Sequence, residues 1–182
     1  MPAIPRPLMA ALALAAAGTL ALGAAPAAVA AKPVTGKGVG NEDLAKARDA
    51  TEKYRSEQAA VDAGYVRTDM CVEDTGKDKL GGMGFHYVDP ANVGSLDPAK
   101  PAAVLYAPDK TGKRVLVAIE YIVPDTGQPR PKLFGHDLDG PAVTPGVGNV
   151  YTLHAWIFRK NPEGVFTPYN PRVHCTRPDH KP

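Results

Sequence analysis

Apolar and polar positions alternate between residues 41 and 64 with the period of an α-helix. Asn41 can cap such a helix at its start, and Gly64 is a residue at which helices often end. The pattern predicts one amphipathic helix of about 22 residues whose opposite face carries the charges. The apolar positions, at spacings near 3.6 residues, are Leu44, Ala47, Tyr54 and Val61.

Beyond the helix the pattern changes to short apolar runs separated by turn residues. MGFHYVDP (83–90) predicts a strand that is closed by Asp89-Pro90. VLYA (104–107) and RVLVAIEYIVP (114–124) flank a Gly-containing turn and predict a hairpin. YTLHAWIFR (151–159) is the most strand-like run in the chain. Residues 125–149 are rich in Pro and Gly and predict a long loop. This loop is longer than most connections that only join two elements, which indicates a functional role.

Together these elements predict an α+β fold. One N-terminal amphipathic helix should pack on an antiparallel sheet or partial barrel of four to six strands. Cys71 and Cys175 are the two cysteines of the chain, and in an exported protein an isolated pair forms a disulfide. This bond would tie the end of the chain to the segment after the helix.

The first thirty residues have the three-part form of a secretory signal. Arg6 is followed by a continuous apolar run, and the run ends in the small-residue sequence Ala28-Val29-Ala30, which predicts cleavage after Ala30. No later segment approaches about 18 uncharged apolar residues, so no membrane span is expected after cleavage. We therefore predict a secreted or extracytoplasmic bacterial protein with a signal peptide at 1–30, a flexible leader at 31–40 and a single globular domain at 41–182.

The charge balance excludes some classes of partner. The full chain has a formal net charge of +2, and removal of the signal, whose only charged residue is Arg6, leaves a nearly neutral chain. A near-neutral domain has no electrostatic reason to bind nucleic acid or an anionic membrane. The expected partners are a small molecule or a metal ion.

Each of the long predicted strands carries one ionisable residue near its middle. These residues are His86, Glu120 and His154, and apolar or small residues share their faces; Leu116 and Ala118, for example, are expected on the face of Glu120. An unpaired charge in such a position is costly. If the strands are neighbours in a suitable register, the three groups converge.

Two imidazoles and one carboxylate form a ligand set for a divalent transition metal. His86, Glu120 and His154 are the predicted ligands for zinc, iron, manganese or copper, with positions left for water or a small oxygen-containing substrate. His136 lies in the 125–149 loop, which we expect to act as a lid. His136 could there be a fourth ligand or a proton-transfer group, so Glu120 and His136 are the candidate catalytic residues. Hydrogen-bond acceptors for the imidazoles could be Asp89, Tyr87, Thr152 or a loop carbonyl.

Other interpretations of the same residues remain open. His154 could be a core histidine bonded to a carbonyl, Glu120 could lie at a sheet edge, and Glu120 with either histidine could act as a metal-free acid and base. The protein could also be a non-catalytic binding module or an envelope-associated structural protein. The binding module would enclose an apolar pocket lined by Phe85, Tyr121, Trp156 and Phe166.

Five short motifs resemble those of a family of exported bacterial proteins to which no activity is assigned. They are GMGFHYVDP, VAIEYIVP, LFGHD, YTLHAWIFRKNPEGVF and YNPRVHC, and the resemblance runs from about residue 45 to residue 175. It implies export from a bacterial cell and nothing about substrate or cofactor.

Overall fold

The computed structural model describes residues 39–144 and 146–176, and it confirms the predicted α+β class. A six-stranded antiparallel sheet with the strand order β1-β2-β3-β4-β8-β7 curves into half a barrel, and β5 pairs with β6 in a separate ribbon. The elements are α1 (Val39–Thr51), α2 (Glu57–Asp62), β1 (Val66–Glu73), β2 (Gly82–Val88), β3 (Ala103–Pro108), β4 (Arg114–Pro124), β5 (Lys132–Leu133), β6 (His136–Asp137), β7 (Asp139–Thr144) and β8 (Gly148–Ala155).

The predicted signal peptide at 1–30 lies outside the described residues. So does the predicted leader, except for Val39 and Gly40, which begin α1. In the described part of the chain, no helix is both long enough and apolar enough to cross a membrane.

The predicted single helix is broken into two. A short 3-10 helix (Glu52–Arg55) follows α1, and Ser56 then adopts an extended backbone conformation and caps α2 by accepting a hydrogen bond from the amide of Ala59. The break leaves Tyr54 buried, and its carbonyl accepts a hydrogen bond of 2.5 Å from the hydroxyl of Tyr106. Contact with the sheet therefore overrides the continuous helical pattern.

The predicted strand at 83–90 and the predicted hairpin are confirmed as β2, β3 and β4. The last strand, β8, ends at Ala155 instead of residue 159, because Phe158 and Arg159 both donate backbone hydrogen bonds to the carbonyl of Val117 outside the sheet ladder. The prediction of a loop at 125–149 is wrong in part, since this region contains β5, β6, the whole of β7 and the first two residues of β8.

The sheet has an apolar cluster on each face. On the first, the helix face, α1 and α2 pack against a cluster that includes Ala47, Ala60, Tyr106 and Tyr121. On the second, the inner face, the cluster is built largely from small and branched side chains. These are Ala102, Ala103, Leu105, Ala107, Val117, Ala118, Ile122, Val150, Trp156 and Val173.

The C-terminal segment is fixed to the first two strands. The predicted disulfide between Cys71 and Cys175 is confirmed, with a Cα–Cα distance of 5.7 Å. Glu73 accepts a hydrogen bond of 2.9 Å from the amide of Cys175. The bridge between Gly82 and Asn170 adds a backbone connection to β2. The bond thus joins two segments that are 104 residues apart in the sequence.

Candidate metal centre

The strand register brings the three predicted ligands to one place on the inner face. Glu120 on β4 lies directly opposite His154 on β8. His86 lies on β2, and β3 runs between β2 and β4. At this point β3 contributes Ala103, which lies opposite Glu120 and, on its other side, opposite Val88. Because alanine is small, the longer side chains of His86 and Glu120 can meet across β3.

The polar atoms of the three residues form a compact group. His86 Nε2 lies 3.4 Å from Glu120 Oε2, and His154 Nε2 lies 3.7 Å from Glu120 Oε1. The two imidazole rings are nearly perpendicular, with centroids 6.2 Å apart. One potential ligand atom from each residue lies within 4.8 Å of the other two. We call His86, Glu120 and His154 the triad.

These distances are close to those that a bound ion requires. Bonds of about 2.0–2.2 Å from nitrogen or oxygen to a metal ion allow two ligand atoms to be at most about 4.2 Å apart. Both Glu120–imidazole distances already meet this limit. Small side-chain rotations that bring the two histidines closer would complete a shared site, so the arrangement fits a 2-His-1-carboxylate set.

The triad is buried, and one member has no hydrogen-bond partner. The side chains of His86, Glu120 and His154 are 14%, 7% and 2% exposed. Neither Nδ1 nor Nε2 of His154 has a hydrogen-bond partner in the described structure. A buried polar group without a partner costs about 1–3 kcal/mol, so native proteins rarely leave one in place. The interpretation of His154 as a core histidine bonded to a carbonyl is therefore wrong.

His86 has the hydrogen-bond acceptor that a metal-ligating imidazole needs. Its ring donates a hydrogen bond to the backbone carbonyl of Gly84. Nε2 is the ring nitrogen that faces Glu120. Two of the side-chain acceptors expected from the sequence, Tyr87 and Asp89, are used elsewhere. Tyr87 contacts Glu57 and Arg114 on the helix face, and Asp89 accepts hydrogen bonds from the turn that follows β2.

Burial shifts the protonation of all three groups towards their neutral forms. Desolvation lowers the pKa of His86 to about 4, and desolvation together with the nearby His86 lowers the pKa of His154 to about 3. Desolvation also raises the pKa of Glu120 to about 8. Without an ion, the triad at pH 7 therefore consists of two neutral imidazoles and a protonated carboxyl group.

His136 does not join the triad. It is exposed on β6, and its ring lies 4.2 Å from that of Phe166. Both residues line a surface cavity of about 460 Å³ together with Leu153, which belongs to the cluster on the helix face. Leu153 and His154 are consecutive in β8 and point to opposite faces. The structure thus gives no support to His136 as a fourth ligand, or to a lid formed by 125–149.

The aromatic pocket of the alternative interpretation is not formed. Tyr121 belongs to the cluster on the helix face, and Phe85 and Phe166 pack against that cluster. Trp156 belongs to the cluster on the inner face. The four side chains are therefore divided between the two faces of the sheet and do not enclose one cavity.

Sequence reasoning missed the residues that make room for the triad. Ala103 and Ala118 are fully buried beside Glu120, and Gly84 supplies the carbonyl for His86. A bulge in β4 also places Leu116 on the helix face, whereas Ala118 stays on the face of Glu120 as predicted. Small residues within otherwise bulky apolar strands are the signal that could have indicated this space.

Comparison of the chain with protein-family models, with curated proteins and with solved structures finds no match.

Proposed function

We propose that the triad binds a divalent transition metal ion and that this protein is an exported metal-binding domain. The observation that carries the proposal is His154, a fully enclosed imidazole whose two ring nitrogens have no protein partner and whose Nε2 faces a carboxylate. An ion between His154, Glu120 and His86 would supply the missing partner and favour the ionised form of Glu120.

The donor set indicates which ions suit the site. Imidazole nitrogen and carboxylate oxygen together suit zinc, iron, manganese or copper, and thiolate, which would favour other chemistry, is absent from the triad. Three protein ligands leave at least one coordination position free. A bound ion supplies Lewis acidity there, so a small oxygen-containing molecule is the proposed substrate or ligand.

The remaining chain provides an enclosed setting for this chemistry. The three side chains of the triad are largely buried on the face of the sheet that carries the apolar inner-face cluster, and such burial strengthens electrostatic interactions inside the site. His86 is the most exposed ligand, so we propose that small molecules enter beside it. The disulfide and the predicted signal peptide support a location outside the cytoplasm.

Elemental analysis tests the proposal directly. The wild-type protein, purified without a histidine tag and supplied with metal during growth, should contain about one transition metal ion per chain. The double variant His86→Ala/His154→Ala should contain almost none. The matched control is His136→Ala, which removes an exposed histidine outside the triad and should keep the wild-type content.

A second variant separates loss of the ligand from loss of the fold. Glu120→Gln keeps the size of the side chain and removes its charge, so metal affinity should fall about 10- to 100-fold or more. Near-ultraviolet circular dichroism of each variant checks that the core aromatic residues keep their packing. Equal metal content in the wild type and in a folded double variant would refute the metal site.

A further inference from the structure

The charge balance of the triad limits what can bind beside the metal ion. This inference rests on the proposed metal-binding function. Glu120 is the only acidic residue among the buried side chains of residues 39–144 and 146–176. A divalent ion held by one carboxylate and two neutral imidazoles therefore leaves one positive charge without compensation.

The surroundings of the triad do not neutralise this charge. The inner-face cluster consists of apolar side chains, among them Ala103, Ala118, Ile122 and Trp156. A net charge enclosed by apolar groups is strongly unfavourable, because neither water nor a counter-charge is close enough to stabilise it. The most direct compensation is a negatively charged ligand in the free coordination position.

The space around the triad restricts the size of such a ligand. Ala103 and Ala118 provide the only short side chains next to Glu120 along and across the strands. Beside His86 the edge strand is irregular, because three residues of β1 lie between Arg67 and Cys71 whereas one residue of β2 lies between their partners. This bulge interrupts the regular pairing of β1 with β2 next to His86, the most exposed ligand. Bulges are common beside functional sites.

We propose that the metal-loaded triad binds a small monoanion, of the size of formate or azide, as its additional ligand. One negative charge completes the neutralisation of the site, and the burial of all three ligands favours an anion of few atoms. Neutral molecules of the same size would leave the charge in place and should bind more weakly. The substrate class of the site is thus a small anionic oxygen- or nitrogen-donor molecule.

Cobalt(II) provides a spectroscopic probe of the proposal. The protein loaded with cobalt is titrated with formate and, separately, with formamide, which has nearly the same shape and no charge. Formate should change the visible absorption of the cobalt ion at concentrations at least about tenfold lower than formamide does, since only the anion gains the Coulomb attraction. Azide should behave like formate.

A matched pair of variants tests the origin of this preference. Val88 lies on the inner face of β2, opposite Ala103, and is only partly buried. Val88→Glu brings a second carboxylate towards the ion, whereas Val88→Gln adds a side chain of the same size without charge. Formate affinity should be about tenfold weaker in Val88→Glu than in Val88→Gln, because the added carboxylate already supplies the missing negative charge.

The outcomes distinguish this inference from the metal site itself. Cobalt binding with no response to formate, or with equal responses to formate and formamide, would overturn the anion proposal and leave the metal proposal standing. Failure of the wild-type protein to bind cobalt would overturn both. The wild-type titrations decide the question even if Val88→Glu does not fold.

Discussion

The two faces of the sheet differ in whether their buried polar groups have hydrogen-bond partners. On the helix face, four tyrosine side chains are almost completely buried, and each hydroxyl group has a protein acceptor. On the inner face, both nitrogens of His154 lack a hydrogen-bond partner, and the carboxyl group of Glu120 faces the two imidazoles. The tyrosine hydroxyls donate as follows: Tyr65 to Pro101 O, Tyr87 to Glu57, Tyr106 to Tyr54 O and Tyr121 to Pro98 O.

This difference separates groups that stabilise the fold on their own from the groups of the proposed metal site. A buried hydroxyl with an acceptor stabilises a protein by about 1 kcal/mol, whereas a buried imidazole without a partner destabilises it. The helix face therefore contributes to stability in the metal-free protein. The inner face should contribute fully only when an ion completes it.

The addition of a metal ion should produce the largest difference in stability between variants on the two faces of the sheet. At a free zinc concentration a thousandfold above Kd, the free energy of unfolding of the wild type should rise by about 4 kcal/mol. The variant Tyr106→Phe, on the helix face, should show the same rise, and His86→Ala/His154→Ala should show none. Denaturant unfolding with zinc and with a chelator measures these values. A similar rise in the double variant would place the zinc site elsewhere.

Two single substitutions should change the stability of the metal-free protein in opposite directions. Tyr106→Phe removes the donor to the Tyr54 carbonyl and should lower the free energy of unfolding by about 1–2 kcal/mol. His154→Leu replaces an unpartnered polar ring by an apolar side chain of similar volume and should raise it by about 1 kcal/mol. Denaturant unfolding in the presence of a chelator measures both. A clear loss of stability in His154→Leu would show that the ring has partners within the protein.

The stability of the metal-free protein should pass through a maximum near pH 6.5. The pKa of Glu120 is raised to about 8, so between pH 4.5 and 8 the folded state binds more protons at this group than the unfolded state, and this contribution falls as pH rises. The lowered pKa values of His86 and His154 act oppositely: below pH 6.5 the unfolded state binds more protons, and stability falls as pH falls. Between pH 4.5 and 6.5 the two histidines change the free energy of unfolding more steeply than the one carboxyl group does. The free energy of unfolding therefore rises with pH up to about pH 6.5 and falls above it.

Metal affinity should rise about tenfold per pH unit up to pH 8, because Glu120 must release its proton before it can bind the ion. At pH 7 the release should be about 0.9 proton per ion. Calorimetric titration in buffers of different ionisation enthalpy measures this number. A value near zero would mean that Glu120 is ionised before the metal binds.

The smallest effect is expected from the cap of α2. Ser56→Ala removes the side-chain acceptor for the amide of Ala59 and should lower the free energy of unfolding by about 0.5–1 kcal/mol. The metal affinity should stay within about twofold of the wild type, because this cap lies on the helix side of the sheet. A large loss of metal affinity in this variant would show that the two faces are coupled.

The elements that were predicted correctly are those with a strong hydrophobic pattern. The alternation in β2, β4 and β8 predicted that each of these strands carries one ionisable residue among apolar side chains, whereas the meeting of His86, Glu120 and His154 also required the strand order and register, which the sequence left open. The two edge strands escaped prediction, because β1 is largely exposed and β7 contains Gly140 and Pro141, so backbone pairing holds them without an apolar stripe.

The remaining errors concern interactions between distant residues. The break at Ser56 depends on the contact between Tyr54 and Tyr106, which are 52 residues apart. The position of His136 depends on how the β5–β6 ribbon packs against Phe166. Hydrophobic periodicity describes which side of an element faces the core, and it carries no information about which segment will cover that side.

The three donors of the triad come from β2, β4 and β8, and no two of them belong to strands that are consecutive in the chain. A fragment that ends before β8 would hold two donors, and a swapped or slipped strand would turn one of them away. Cobalt absorption would therefore report whether the four central strands, β2, β3, β4 and β8, have been assembled in their native order. The centre would thus serve as an internal sensor of this assembly, independent of any reaction that it performs.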